Sequence, residues 1–429
     1  MTIASIYNHF LECDSVCTDT RKISKNCLFF ALKGENFNGN TFADEALEQG
    51  AKYCIVDEEA YAENENSILV EDVLTTLQDL ARYHREQLGT PIIALTGSNG
   101  KTTTKELINA VLKTKYQTLA TKGNLNNHIG VPLTLLSLTR DIEIGIVEMG
   151  ANHKKEIEFL CNIALPDYGL ITNFGKAHLE GFGGFEGVIE GKSELYKHLI
   201  KHNKLIFINS NDALQKQQIN DYSNYYSFGN TKGVDVNVLN QTNGEFVSVQ
   251  FGDEVITSNL SGIYNFNNIA VAITIGNYFN VSVQQIKEGI ESYIPSNNRS
   301  QIIENNSNKI VLDAYNANPT SMKAAIDNFK LLKSDAKYAL LGDMFELGST
   351  SNQEHQEIMS YAETEIDGQI LFVGENFFPC NPSSPQSLKF KNFDDLEEYL
   401  QNKTIQNSLI LIKGSRGMAL ERALPYLNN

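Results

Sequence analysis

The sequence predicts an α/β protein of three domains, and three observations carry that prediction. Short apolar runs alternate with helical-looking segments along most of the chain, the pattern of parallel sheets covered on both faces. At 429 residues the chain is too long for one core. A glycine-rich turn, Thr96-Gly97-Ser98-Asn99-Gly100-Lys101-Thr102-Thr103, lies between the apolar run Ile92-Ile93-Ala94-Leu95 and a helical segment at 103–112. Strand, glycine turn and helix in that order make a P-loop-like unit at the centre of the chain.

The first segment, residues 1–88, reads as a small α/β domain. Residues 27–32 and 51–56 are apolar enough for strands. Residues 42–50 read as a helix closed by Gly50. Residues 72–88 carry Val73, Leu77, Leu80 and Ala81 at helical spacing. Gly89-Thr90-Pro91 punctuates the junction. The second segment, 89–295, has candidate strands at 92–95, 142–147, 168–172 and 205–208, separated by helices, one of them spanning 184–200. The pattern then switches to alternation. Val234, Val236 and Val238 precede Asn243-Gly244, and Val247, Val249 and Phe251 follow. That predicts an antiparallel hairpin appended to the central parallel sheet. Helix returns at 264–278. Pro295-Ser296-Asn297-Asn298 marks a linker. The third segment, 296–429, is a Rossmann-like α/β domain with strands near 310–312, 338–341, 369–373 and 409–412. No internal repeat is present, and the only biased tract is an Asn/Ser/Pro-rich loop at 380–387.

Composition narrows the function classes. With 41% apolar and 20% charged residues, the chain is globular rather than disordered. A formal charge of −17 argues against a general electrostatic footprint for nucleic acid. Anionic ligands would need local pockets of Lys, Arg and backbone N–H groups. The six cysteines (Cys13, Cys17, Cys27, Cys54, Cys161 and Cys380) form no C-x-x-C pair and no zinc spacing. They are expected to be isolated thiols in a reducing compartment. The first ten residues lack a secretory pattern, and no apolar stretch is long enough to cross a membrane. A cytoplasmic protein without a membrane partner is expected, and nothing calls for more than a monomer.

The chemistry-bearing residues cluster after strands, where parallel sheets place ligands. Gly97 and Gly100 let backbone wrap an anion, with Ser98, Asn99 and Thr103 completing the turn. Lys101 would reach the outer phosphates, and the Thr102 hydroxyl would face Mg²⁺. The spacing departs from the common P-loop, whose first glycine would fall at Leu95. A bare Gly-Lys-Thr could also be a turn with a surface lysine; the flanking strand and helix favour the nucleotide. Glu148 follows a strand and suits a hard cation, or else faces solvent. His178, in Asn173-Phe174-Gly175-Lys176-Ala177-His178-Leu179-Glu180, is a metal ligand, an orienter or an ordinary loop residue. Lys192 lies on a helix, where a lysine is usually a solvated charge. Four further loops are rich in Gly, Asn and aromatic residues: 122–132, 313–322, 341–348 and 413–418. Each could wall a polar substrate or simply turn the chain.

Together these stretches resemble the Mur ligase family over nearly the whole chain. The resemblance rests on Asp19-Thr20-Arg21-Lys22-Ile23, Leu28-Phe29-Phe30-Ala31-Leu32-Lys33-Gly34 and the glycine-rich turn. It continues through 123–132, 148–153, 173–181, 191–196, 265–268, 313–322, 342–348 and 413–418. The Asp-Asn-Pro-Arg motif of members that add the third stem residue is absent. Asp313-Ala314-Tyr315-Asn316-Ala317-Asn318-Pro319 instead matches the branch that joins D-Ala-D-Ala to UDP-N-acetylmuramoyl-tripeptide, the last cytoplasmic step of peptidoglycan precursor synthesis. That resemblance implies a UDP-substrate domain at 1–88, an ATPase-like domain at 89–295 and a ligase domain at 296–429. It implies ATP and two Mg²⁺ ions. One ion would be held by Thr102 and Glu148, the second by Glu148 and His178, with Lys192 carboxylated by CO₂ into a metal-binding carbamate. It places Asn268 on adenine, Arg299 on the phosphates and Asp313 on the ribose. It places Asn126 and Asn127 on the UDP-linked substrate, Thr20 and Arg21 near uridine, and Asn316 and Asn318 near the dipeptide. Where the family has Asp-Gly-His this chain has Asn38-Gly39-Asn40, so those side chains receive no nucleotide contact. No general base is named, and the third stem residue, lysine, diaminopimelate or another, stays open.

The rivals are a folylpolyglutamate synthase or single-residue Mur ligase, a GTPase and a nucleotide-binding scaffold. The missing Asp-Asn-Pro-Arg motif and the first domain oppose the first. The absence of Asn-Lys-x-Asp opposes the second. The joint presence of Lys101, Glu148, His178 and Lys192 opposes the third. Three domains supplying one site also imply closure, with hinges expected at 89–91 and 295–298.

Overall fold

The computed structural model describes residues 1–295 and 298–427. Ser296 and Asn297, within the expected linker and hinge, lie outside the described residues. Three larger sheets organise the chain. The N-terminal sheet has four parallel strands, in the order Ser15–Cys17, Cys27–Phe30, Tyr53–Val56, Ser67–Leu69. A small antiparallel pair, Lys33–Gly34 and Phe37–Asn38, stands beside it. Helix Val73–Leu88 leads out of this unit. Its N-terminus is capped by Asp72, whose carboxylate accepts from Thr75 N–H, and it ends at Gly89 with φ of 66°.

The central sheet has nine strands. Its parallel part runs Thr118–Ala120, Ile144–Glu148, Ile92–Thr96, Tyr168–Ile171, Leu205–Asn209, Tyr225–Gly229, Val236–Asn240. The hairpin expected around Asn243-Gly244 is present as Val236–Asn240 and Phe246–Phe251, and a third antiparallel strand, Glu254–Ser261, extends it. The hairpin joins the sheet edge through parallel pairing of Phe228 with Val236. Strands Ile92–Thr96 and Ile144–Glu148 are buried throughout, as two covered faces require. The expected strand at 142–147 starts two residues later and ends one residue later, as Ile144–Glu148, so Glu148 is its last residue. The expected helix at 184–200 is two helices, Phe185–Lys192 and Glu194–Lys201, parted at Ser193.

The C-terminal sheet has six strands, Gln301–Asn305, Asn308–Asp313, Leu409–Lys413, Lys337–Gly342, Gln369–Val373, Ser387–Phe390. All pairs are parallel except the first. One continuous core joins Phe30 and Leu80 of the first unit to Ile206 of the second and Phe329 of the third. The six cysteines are all free thiols. They are scattered in sequence, but Cys17, Cys27 and Cys54 share the core of the N-terminal sheet. Burial pushes Cys54 up to about 12 and Cys13 up to about 11. Among the described residues, no helix is long and apolar enough to cross a membrane.

Candidate functional site

The glycine-rich turn falls between strand Ile92–Thr96 and helix Lys101–Leu112. Gly97 has φ of 143° and Gly100 φ of 78°. A Cβ on Gly97 would lie 2.0 Å from Thr172 Oγ1, and one on Gly100 would lie 2.6 Å from Asn268 Oδ1. Both positions therefore need glycine for space as well as for backbone. The turn is pinned from the neighbouring strand end: Asn173 Oδ1 accepts from Asn99 N–H at 3.1 Å, and Thr172 Oγ1 donates to the Asn99 carbonyl at 2.6 Å. Ser98 Oγ donates to the Gly175 carbonyl at 2.9 Å. Lys101 Nζ donates to the Gly97 carbonyl at 2.8 Å.

A cavity of about 640 Å³ opens above this turn, between the carboxyl ends of the central and C-terminal sheets. Ser98, Asn99, Gly100, Lys101, Thr102, Thr103, Asn126, Asn127, Glu148, His178, Asn268, Arg299, Asp313, Asn316 and Asn318 all line it. Thr102 Oγ1 donates to Glu148 Oε2 at 2.9 Å, and Asn126 Nδ2 donates to Glu148 Oε1 at 2.8 Å. The carboxylate is buried, so these two bonds and its own strand fix its direction. Lys101 is half-buried and reachable from the cavity, yet protein surrounds it closely enough that desolvation lowers its pKa.

Lys192 is fully buried behind the cavity and not on its wall. This overturns the solvated charge its helix suggests. Its Nζ donates to the Ala151 carbonyl at 2.9 Å and sits 4.9 Å from the centre of the Phe182 ring. Burial first, and the Lys101 charge second, hold its pKa well below the usual lysine range.

On the opposite wall, the Arg299 guanidinium stacks 3.6 Å from the centre of the Tyr315 ring. Asp313 ends strand Asn308–Asp313; its Oδ2 pairs with Lys413 Nζ at 2.6 Å and its Oδ1 accepts from Ser300 N–H at 3.0 Å. Asn318 caps helix Pro319–Leu331 and reaches across to the glycine turn, donating to Asn99 Oδ1 at 2.7 Å. Lys176 pairs with Glu354 at 2.6 Å across the same interface. Several expected ligand contacts are thus also internal struts. Asn268 accepts from Thr104 and donates to Asn265. Asn127 Oδ1 accepts from Gly130 N–H. Asn316 Oδ1 accepts from Ala317 N–H.

Thr20 and Arg21 stay apart from this cavity. They form a short turn on the N-terminal unit, where Arg21 is mostly exposed and paired with Asp19 at 2.9 Å. The Asn38-Gly39-Asn40 turn is structural: Asn40 is buried and donates to Asp57 Oδ1 at 2.8 Å, and its own Oδ1 accepts from Asp57 N–H at 3.0 Å. Sequence reasoning did not single out Lys413 or Glu346. Lys413 ends strand Leu409–Lys413 and Glu346 lies in the loop after strand Lys337–Gly342, and only burial or pairing distinguishes them from their glycine-rich surroundings.

Among the described residues, no three His, Cys, Asp or Glu side chains converge on one point. Of the side chains expected to hold metal, Glu148 and the Thr102 hydroxyl bring hard oxygens to the cavity and His178 a ring nitrogen, while Lys192 lies buried behind the wall. The two oxygens fit Mg²⁺, which takes one or two protein oxygens and completes its shell with phosphate and water.

Family models match in chain order. The Mur ligase family catalytic domain covers residues 12–85, the Mur ligase middle domain 95–276, and the glutamate ligase domain 298–416. A curated relative from Bacillus subtilis (strain 168), named UDP-N-acetylmuramoyl-tripeptide–D-alanyl-D-alanine ligase, is 36% identical, with 96% of this chain and 92% of the relative covered. A crystal structure of MurF from Acinetobacter baumannii superposes with a TM-score of 0.88 at 29% identity, covering 100% of this chain and 98% of that one. MurF from Thermotoga maritima, solved in complex with ADP, gives 0.85 at 27% identity, covering 98% of each chain. Three domain models in order, and identity spread over the full length, agree with the site geometry: the chain belongs to the Mur ligase family.

Proposed function

We propose that this chain joins D-Ala-D-Ala to UDP-N-acetylmuramoyl-tripeptide with ATP, forming an amide and releasing ADP and phosphate in the cytoplasm. The observation that carries the proposal is the single cavity that gathers the glycine turn, Lys101, Thr102 and Glu148 on one wall and Arg299 and Asp313 on the other. Full-length similarity to relatives bearing that name supports the choice of acceptor. We assign residues 1–88 to the UDP-linked substrate, with Thr20 and Arg21 near uridine, 89–295 to ATP, and 296–429 to the dipeptide.

The terminal carboxylate of the tripeptide attacks the γ-phosphorus, and the β–γ P–O bond breaks as ADP leaves. The dipeptide amine then attacks the acyl phosphate carbon. The tetrahedral adduct collapses, the C–O bond to phosphate breaks, and the amine sheds its proton. The glycine-turn amides and Lys101 cradle the phosphates, and Arg299 faces them from the other domain. Asn268 lies beside adenine and Asp313 beside the ribose. Asn126 and Asn127 face the UDP-linked substrate, and Asn316 and Asn318 the dipeptide. Thr102, Glu148, His178 and a carboxylated Lys192 would hold two Mg²⁺ ions, which supply neutralisation of phosphate charge. Lys192 suits carboxylation because burial lowers its pKa and so favours the neutral amine, the form that attacks CO₂. Catalysis is then mainly positioning and charge compensation.

The test is the mass of the product. With ATP, Mg²⁺ and UDP-N-acetylmuramoyl-tripeptide, D-Ala-D-Ala should give a UDP-linked pentapeptide. A tetrapeptide formed from a single amino acid would move the chain to another branch of the family.

A further inference from the structure

Helix Lys101–Leu112 carries a second lysine one turn beyond Lys101, and its side chain is completely buried. Lys105 Nζ donates to the Thr121 carbonyl at 2.5 Å and pairs with Glu106 Oε1 at 2.8 Å. Glu106 has 37% of its side chain open to solvent, so the bond to the carbonyl is the inward one. Thr121 is itself buried, directly after strand Thr118–Ala120. Its N–H donates to the Ile146 carbonyl at 2.9 Å, which continues the parallel ladder with strand Ile144–Glu148. The next bond of such a ladder would run from Glu148 N–H to the Thr121 carbonyl. Glu148 N–H donates instead to Thr121 Oγ1 at 3.0 Å. The carbonyl is turned to the lysine, the hydroxyl takes its place, and the strand ends there.

The loop that follows runs along the cavity, whose wall includes Asn124, Asn126, Asn127 and His128 but not Lys105. Asn126 Nδ2 donates to Glu148 Oε1 at 2.8 Å, and its carbonyl accepts from Gly150 N–H at 2.7 Å. The loop is therefore tied at two points, at Thr121 by Lys105 and at Asn126 by Glu148. One helix stands behind both ties, because Thr102 bonds the other oxygen of Glu148. A buried amine that satisfies a buried carbonyl is costly to remove, since the carbonyl is left without a donor. We propose that Lys105 is a positioning residue for the loop 122–128. It holds the Thr121 carbonyl out of the ladder and so sets Asn126 and Asn127 on the cavity wall, from the same helix that carries Lys101. Its kinetic consequence rests on the ligase reading, in which Asn126 and Asn127 face the UDP-linked substrate; the ordering of the loop does not.

The test compares two variants of the full chain bound to an ATP analogue. Lys105→Met keeps the length of the stem and removes the donors; Glu106→Gln removes the ion pair and leaves the carbonyl bond. Amide hydrogen exchange at 122–128 should speed up at least ~10-fold in Lys105→Met, the scale set by one buried acceptor left without its donor. Exchange across 101–112 should stay within about twofold. In turnover, KM for the UDP-linked tripeptide should rise at least ~10-fold and KM for ATP stay within about twofold. Glu106→Gln should match the parent in each readout. In an Asn126→Ala background, Lys105→Met should raise KM for the tripeptide less than it does in the parent. Unchanged exchange in the loop, an equal rise in both KM values, or the full effect in Glu106→Gln would overturn the proposal. If Lys105→Met does not fold, Lys105→Gln, one bond too short to hold the carbonyl, supplies the same comparison. If the parent chain is inactive with every acceptor, the ligase reading fails, and exchange at 122–128 alone decides whether Lys105 sets the loop.

Discussion

Lys192 shows how far a residue's setting can depart from its type. On the sequence it is one more helical lysine, and only the resemblance to a family singles it out. In the structure its amine is enclosed and bonded to one carbonyl, and burial holds its pKa well below the usual lysine range. Lys192→Ala should leave ATP-analogue affinity within about twofold by calorimetry. Turnover should fall by more than the ~100-fold that loss of an outer-shell partner brings. Full turnover in that variant would remove Lys192 from the site. Gly97 is the opposite case, because its need was legible: a glycine before an anion-binding helix is a backbone requirement. Gly97→Ala would drive a Cβ into Thr172 at a φ that alanine resists. The expected cost is about 1–3 kcal/mol of local strain. Nucleotide affinity should drop at least ~10-fold, and an unchanged affinity would contradict the packing described.

The elements that build the site were the legible ones. Strands Ile92–Thr96, Tyr168–Ile171 and Leu409–Lys413 are apolar runs followed by glycine-containing turns, so their existence and the ligand end of the sheet could be read directly. Strands Thr118–Ala120, Tyr225–Gly229, Gln301–Asn305 and Ser387–Phe390 were not. They are three to five residues long and partly exposed, so pairing with a neighbour defines them more than their own pattern does. The break at Ser193 was equally hidden, since serine is tolerated in helices and the nearby glycines, Gly187 and Gly191, lie inside the helix before it. Helix Pro319–Leu331 had a readable start, Asn318 followed by proline. Its reach to Asn99 could not be read, because that contact joins residues 219 positions apart. Asn318→Ala should cost about 1 kcal/mol as a lost cap. It should lower the urea midpoint more than Ser321→Ala, which leaves the Asn99 bond in place. Equal shifts would mean that the bridge adds nothing.

For the whole molecule, the three-part layout followed from length and alternation, whereas the closeness of the units did not. They meet through a shared apolar core and through pairs such as Lys176 with Glu354, joining residues far apart in the chain that no sequence pattern announces. Burial also shapes how the molecule responds to pH. His198 is held at about 4 by burial and by the nearby His202, and burial lowers His84 as well. In the unfolded chain these groups titrate near ~6.5. Between those values the unfolded state binds protons that the folded state refuses, so stability falls as pH drops from about 6.5 toward 4. The urea midpoint should decline across that window, and His198→Asn should flatten the decline. A midpoint that rises on acidification would contradict the burial of these rings.

The central claim is that one cavity uses ATP to activate the tripeptide for a dipeptide acceptor. The most direct measurement is phosphate release from ATP and Mg²⁺ with UDP-N-acetylmuramoyl-tripeptide, comparing D-Ala-D-Ala, single amino acids and no acceptor. Sustained release only with D-Ala-D-Ala is the predicted result. Release with single amino acids alone, or with no acceptor at the same rate, would contradict it.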